Sequence, residues 1–155
     1  MSSNSIWQEP AIIQHSRLLI ESYQRVCEKS FPVNNLITSL SEALYTSEYI
    51  IVSHGTEIDP VFNYANQAAQ QLWGIDWEAF TRLPSRLSAR EDKVEKREVA
   101  LKEALSRGYV SGYEGIRIDA EGKEFHIRNV TLWNLIDASG KQQGQAAIFN
   151  TWEYL

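Results

Sequence analysis

Phe62-Asn63-Tyr64-Ala65-Asn66-Gln67-Ala68-Ala69-Gln70-Gln71-Leu72-Trp73-Gly74 is the stretch whose reading organises the rest of the chain. Its first three residues suit a short strand, and the remainder suits a short helix. Asn66 is the natural N-cap, because its side-chain oxygen accepts an otherwise orphan backbone N–H of the first turn. Ala65, Ala68, Ala69, Leu72 and Trp73 recur at helical spacing and form one apolar face. Gly74 ends the helix, since glycine takes the left-handed conformation without steric penalty.

Upstream, Pro10 to about Lys29 reads as an amphipathic helix. Ile12, Ile13, Leu19, Ile20, Tyr23 and Cys27 recur every three or four positions, and Pro10 suits a first helical turn. Pro32 separates it from a second helix, which Asn34 or Asn35 could cap. Leu36, Ile37, Leu40, Ala43 and Leu44 are its apolar stripe. Tyr49–Gly55 is rich in β-branched residues and reads as a strand, with a turn at Asp59-Pro60 before the Phe62 strand. These features divide the chain into a helical extension over 1–47 and a core over 48–155.

Downstream, Asp76–Phe80 reads as one helical turn. Ser88 and Glu91 stand at capping-box spacing and open a charged helix that runs to about Arg107 and stops at Gly108. Val94, Leu101, Ala104 and Leu105 are its expected inner face. Asp119-Ala120-Glu121-Gly122-Lys123 and Asp137-Ala138-Ser139-Gly140-Lys141 repeat one turn pattern. Asp opens such a turn through its own backbone, and Gly supplies positive φ. Two such turns bracket a three-stranded meander over Tyr109–Ile118, Glu124–Leu135 and Gly144–Trp152. In the middle strand the apolar parity switches between Ile127 and Val130, which predicts a bulge or a strong twist at Asn129. The sum is an α+β domain: a five-stranded antiparallel sheet with helices on one side and two flanking N-terminal helices.

At 155 residues the chain is about one domain, long enough to bury roughly 70% of its unfolded surface. A formal net charge of −5 argues against general affinity for nucleic-acid backbones. Arg82, Arg86 and Arg90 are diluted by the acidic residues that follow. The single cysteine, Cys27, cannot form an internal disulfide and suits a reducing compartment. The N-terminus lacks the features of a secretory signal and no apolar run spans a bilayer, so the expected location is cytoplasmic, with no membrane partner.

The order of elements resembles the PAS fold, and several strings resemble the MEKHLA family, a PAS-related group. They are Ser53-His54-Gly55, Asp59-Pro60, Phe62–Asn66, Leu83-Pro84-Ser85-Arg86, Tyr113-Glu114-Gly115-Ile116-Arg117, Trp133-Asn134-Leu135 and Gly144–Phe149. The resemblance covers nearly the whole chain, leading helices included. It implies a PAS-like fold and a sensory or interaction role, and it carries no ligand with it. The homeodomain and leucine zipper of the plant members are missing from this sequence, so their DNA binding does not transfer.

Against that background the cofactor is unknown. Flavin–thiol photochemistry needs a cysteine in the helical stretch after the first two strands, and Cys27 lies outside it. Heme-binding PAS domains place an axial histidine on the long helix before the meander, and the Glu91–Arg107 helix has none. His15, His54 and His126 lack metal-ligand neighbours at short spacing, so no metal site is expected. The aromatic load reads first as core and second as the wall of a ligand pocket. On the second reading the ligand-binding candidates are Tyr64, Trp73 and Trp133 as wall, Asn66 and His126 as polar contributors, and Arg86 as a bidentate partner for an acid. A phosphate loop, a nucleophile elbow and an activated cysteine are all missing from the sequence, so no catalytic residue is assigned.

The functional expectation is a non-catalytic sensory or protein-interaction module, acting on an unidentified protein partner in trans. The rival is a small pocket enzyme on a cone-like α+β fold, which needs a carboxylate on an inward strand position. The wide apolar stripe of the first helix must be covered, either by the sheet beneath it or by a second chain. The preferred expectation is a homodimer through this helix, and the alternative is a lid over the domain's own sheet.

Overall fold

The computed structural model describes residues 6–33, 38–89 and 94–155. Helix α1 (Pro10–Cys27) and the short α2 (Leu40–Thr46) lead into strands β1 (Ile50–His54) and β2 (Phe62–Ala65). Helices α3 (Gln67–Trp73), α4 (Trp77–Phe80) and α5 (Val94–Arg107) follow, with a 3-10 turn at Ser85–Ser88. Strands β3 (Tyr109–Ile118), β4 (Glu124–Ile136), β5 (Gln142–Phe149) and β6 (Thr151–Tyr154) complete the chain. Every pairing is antiparallel, in the order β2-β1-β5-β4-β3, with β6 beside β4.

The two repeated turns fold alike. Asp119 Oδ1 accepts the N–H groups of Glu121 and Lys123, and Asp137 Oδ1 accepts those of Ser139 and Lys141. Gly122 and Gly140 supply φ values of +85° and +88°. Asp137 is further held by Ser139 Oγ and Gln143 Nε2, so hydrogen bonding keeps its carboxyl well below the usual carboxylate range.

The sheet has six strands where the sequence suggests five, because the third meander strand breaks at Asn150. The cause lies across the ladder. Asn129 has φ +55°, the expected bulge, and it turns β4 over partway along its length. Residues 131–136 then pair with β5, while 125–128 pair with β6.

The core helices lie on one face of the sheet, as expected, and the flanking α1 covers the other. On one face α3, α4 and Ala104 of α5 close over Val52, Phe62, Phe125, Val130, Leu132 and Phe149. On the other, α1 lays Leu19, Ile20, Tyr23 and Cys27 onto Ile51, Trp133, Leu135 and Ile148. Burying each such large apolar side chain contributes about 1.5–3 kcal/mol before entropy is counted. Trp133 Nε1 donates to Leu19 O at 3.2 Å, and Ser22 Oγ bridges both backbone groups of Ile136. Leu19, Ile20, Tyr23 and Cys27 of the apolar stripe are therefore taken up by the chain's own sheet, the lid arrangement, while Ile13 stays 41% exposed.

Most expected helix ends are present. Asn66 caps α3, Asp76 caps α4, and Gly74 ends α3 at φ +70°. Helix α2 starts later than its stripe suggests: Ser39 caps it, accepting the N–H of Glu42. The alternative caps Asn34 and Asn35, with Leu36 and Ile37, lie outside the described residues. In α5 Ala104 is buried but Leu105 is 54% exposed, so Leu105 is not an inner-face residue. Ser88 belongs to the 3-10 turn, where its hydroxyl donates to Ser85 O, and Glu91 lies outside the described residues.

Candidate functional site

Between α3 and its face of the sheet lies a cavity of about 50 Å³, room for roughly three to five waters or one small ligand. Most of its wall is apolar, from Val52, Phe62, Ile127, Val130, Leu132 and Phe149. The polar part comes from His54 on β1, Tyr113 and Arg117 on β3, and Gln145 on β5. Gln145 Nε2 donates to Asn134 Oδ1 at 3.0 Å, and Asn134 Nδ2 donates to Ala104 O at 3.1 Å, tying the cavity's sheet wall to α5. Arg117 Nη2 donates to the Tyr113 hydroxyl at 3.3 Å, and its guanidinium stands 5.6 Å from the Tyr113 ring centre. A small apolar chamber with a few convergent polar groups is the usual form of a ligand site.

Of the six ligand-binding candidates, one lines this cavity. Trp73 forms part of the wall and makes edge-to-face contacts with Phe80, Phe125 and Phe149. Asn66 is fully buried, but all of its side chain is committed. It accepts the N–H groups of Ile51 and Ala69 and donates to Leu44 O and Tyr49 O. Tyr64 and Trp133 are fully buried on the α1 face, with the sheet between them and the cavity. His126 lies beyond the cavity, bonded to Glu114 and Arg128. Arg86 is about half exposed and pairs with Asp59 at 3.1 Å.

The placement of Tyr64 has a local cause. Ser53 pairs with Tyr64 and His54 pairs with Phe62, so Asn63 is an extra residue, a bulge. Phe62 consequently faces the cavity, while Tyr64, two residues on, faces α1. There it stacks on His15 with ring centres 5.7 Å apart, and its hydroxyl has no partner among the described residues. Burial pushes that hydroxyl's pKa far up. For Trp133 the signal was in the sequence. The alternation that puts Val130 and Leu132 on one face puts Trp133 on the other. Tyr113, Arg117 and Gln145 stand inside strings that carry the family resemblance, but those strings name no ligand and single out none of the three as a site residue. Only strand pairing brings them together.

Across the sheet, His15 Nε2 meets Ser53 Oγ at 2.8 Å, and Ser53 donates to Asn63 Oδ1. The single hydroxyl hydrogen of Ser53 is thereby used, so His15 donates from Nε2. Burial pushes the His15 pKa down to about 4, leaving a neutral ring at pH 7. Cys27 is also on this face, buried, with its thiol pushed up to about 11 by burial. The chain's one thiol is thus separated by the sheet from any cavity ligand. Among the described residues no cluster of three or more His, Cys, Asp or Glu could hold a metal ion. None of the described helices is long and apolar enough to cross a membrane.

The family model described as the MEKHLA domain matches residues 13–154. Among solved structures, the fold is similar to the PAS domain of a protein from Colwellia psychrerythraea, at 15% identity and TM-score 0.62, covering 74% of this chain and 92% of that one. It is similar to a fungal LOV domain photoreceptor at 17% identity and TM-score 0.58, covering 97% and 95%. It also resembles a PAS domain from a two-component sensor histidine kinase, at 12% identity and TM-score 0.55, covering 72% and 89%. No curated protein matches the chain.

Proposed function

Because the chain belongs to the MEKHLA domain family and has a PAS-type fold, we propose that it is a sensory module. Its cavity takes a small molecule, and occupancy is relayed through α1 to a partner protein or a second copy. The observation that carries this reading is the mostly apolar, partly open chamber with its polar end formed by Tyr113, Arg117 and Gln145. Two of the similar structures are described as a photoreceptor and as part of a sensor kinase, which agrees with a sensory role.

The relay has a physical basis in the sheet. Neighbouring residues on β4 and β5 point to opposite faces, so Leu132 borders the cavity where Trp133 holds α1, and Ala147 does so where Ile148 holds it. A ligand that displaces a cavity-wall strand necessarily shifts the seat of α1. Ser53 extends the coupling to His15.

A catalytic reading finds less support. The pocket-enzyme alternative needs an inward carboxylate, and among the described residues no Asp or Glu lines the cavity. Asp119 and Asp137 are consumed by their turns.

Native mass spectrometry and absorbance of the purified protein, beside an Ala147→Phe variant that fills the chamber, test the proposal. A copurified or added small molecule bound by the wild type and lost from a folded Ala147→Phe supports it. Identical ligand uptake by both proteins sinks it. Turnover abolished by His54→Gln would favour the enzyme instead.

A further inference from the structure

Arg117 is buried, only 7% exposed, in the cavity wall. Its contacts are the carbonyl of Ile116, the hydroxyl of Tyr113 and the Tyr113 ring, and none of the described carboxylates pairs with it. A guanidinium cannot relieve its burial by losing a proton, so a buried one calls for an anion. The ion pairs among the described residues, such as Arg86–Asp59 and Arg128–Glu153, lie at the surface instead. Gly115 keeps room for the group: a Cβ there would stand 2.9 Å from the Tyr113 hydroxyl and 3.0 Å from Arg117 Nη1.

We propose that Arg117, seated on Tyr113, binds the acid group of a small carboxylate whose apolar body fills the rest of the cavity. This rests on the cavity being a ligand site. A carboxylate is favoured over a phosphate ester because Arg117 is the only Lys or Arg among the described residues of the lining and the chamber is small. One planar fork matches one carboxylate, whereas a phosphate dianion would bring a second charge with no further cation among the described lining residues to meet it.

The test compares each acid with its neutral amide of nearly equal shape: acetate with acetamide, and propionate with propionamide, by calorimetry and thermal shift at pH 7. The acid of at least one pair should bind tenfold or more tightly than its amide. Arg117→Gln should abolish that preference while leaving amide binding in place. Gly115→Ala, which crowds the pair without touching the apolar wall, should weaken acid binding several-fold and serves should Arg117→Gln not fold. Equal binding of acid and amide, lost in Ala147→Phe, would overturn the acid assignment and leave the cavity reading standing. Failure of all four probes to bind would overturn both. Glu91 and Asp92 follow closely after Ala89, whose backbone bridges Arg117. Acid binding seen only after Glu91→Gln with Asp92→Asn would mean that the chain's own carboxylates hold the guanidinium, which also overturns the proposal.

Discussion

Replacing Asn66 tests how the helical and strand parts of this domain are joined. Its side chain is bonded to four backbone groups from three places. These are the N–H of Ile51 at 3.2 Å, the N–H of Ala69 at 3.1 Å, and the carbonyls of Leu44 and Tyr49 at 3.0 and 2.8 Å. Asn66→Ala removes all four bonds in a site without solvent access. At a net ~1 kcal/mol per hydrogen bond, the expected loss is about 4 kcal/mol. That is a large part of the ~5–15 kcal/mol that holds a typical domain folded.

Asn66→Asp is the sharper perturbation, because it keeps both acceptor bonds and replaces both donor bonds by a carboxylate facing two carbonyl oxygens. The repulsion raises the folded-state pKa of the new acid above its unfolded value of about 3.9. The destabilisation is therefore full above the folded pKa and recedes as pH falls through it, since the protonated acid can donate to one carbonyl. Urea unfolding of the wild type and both variants at pH 7 and pH 5 measures this. A loss below ~1.5 kcal/mol for Asn66→Ala, less than two such bonds, would refute the reasoning. So would an Asp variant as stable as the wild type at pH 7.

Three further outcomes follow from other parts of the structure. Gly144→Ala would drive a Cβ into the backbone oxygen of His54, forcing β1 and β5 apart beside the cavity. Denaturation should show a loss above ~2 kcal/mol, and a wild-type midpoint would contradict the close approach. For His15, a folded pKa of about 4 against 6.5 unfolded makes its contribution complete above pH 6.5, falling away as pH drops towards 4. The shift corresponds to at most ~3 kcal/mol, reduced to ~1–2 kcal/mol by partial exposure, and His15→Gln should flatten the stability profile across this window. The carboxyl of Asp137 should stay ionised in an NMR titration where ordinary carboxylates protonate, and Ser139→Ala should raise its pKa.

Local chemistry made several features of this protein legible before any fold was known. The Asn66 cap, the Gly74 stop, the twin Asp-to-Lys turns and the bulge at Asn129 each depend on residues a few positions apart, whose hydrogen bonds and φ preferences act at short range. Three features were decided only by the tertiary structure. The first is the side of the sheet that α1 covers, since an apolar stripe states that it must be buried and is silent on where. The second is the face of Tyr64, which the bulge at Asn63 reverses through pairing with β1. The third is the site itself. Tyr113 and Arg117 come from β3 and Gln145 from β5, with β4 between them, so the cavity exists only once register brings those strands together. Caps and turns are decided by neighbours in sequence, whereas a cavity is decided by neighbours in space.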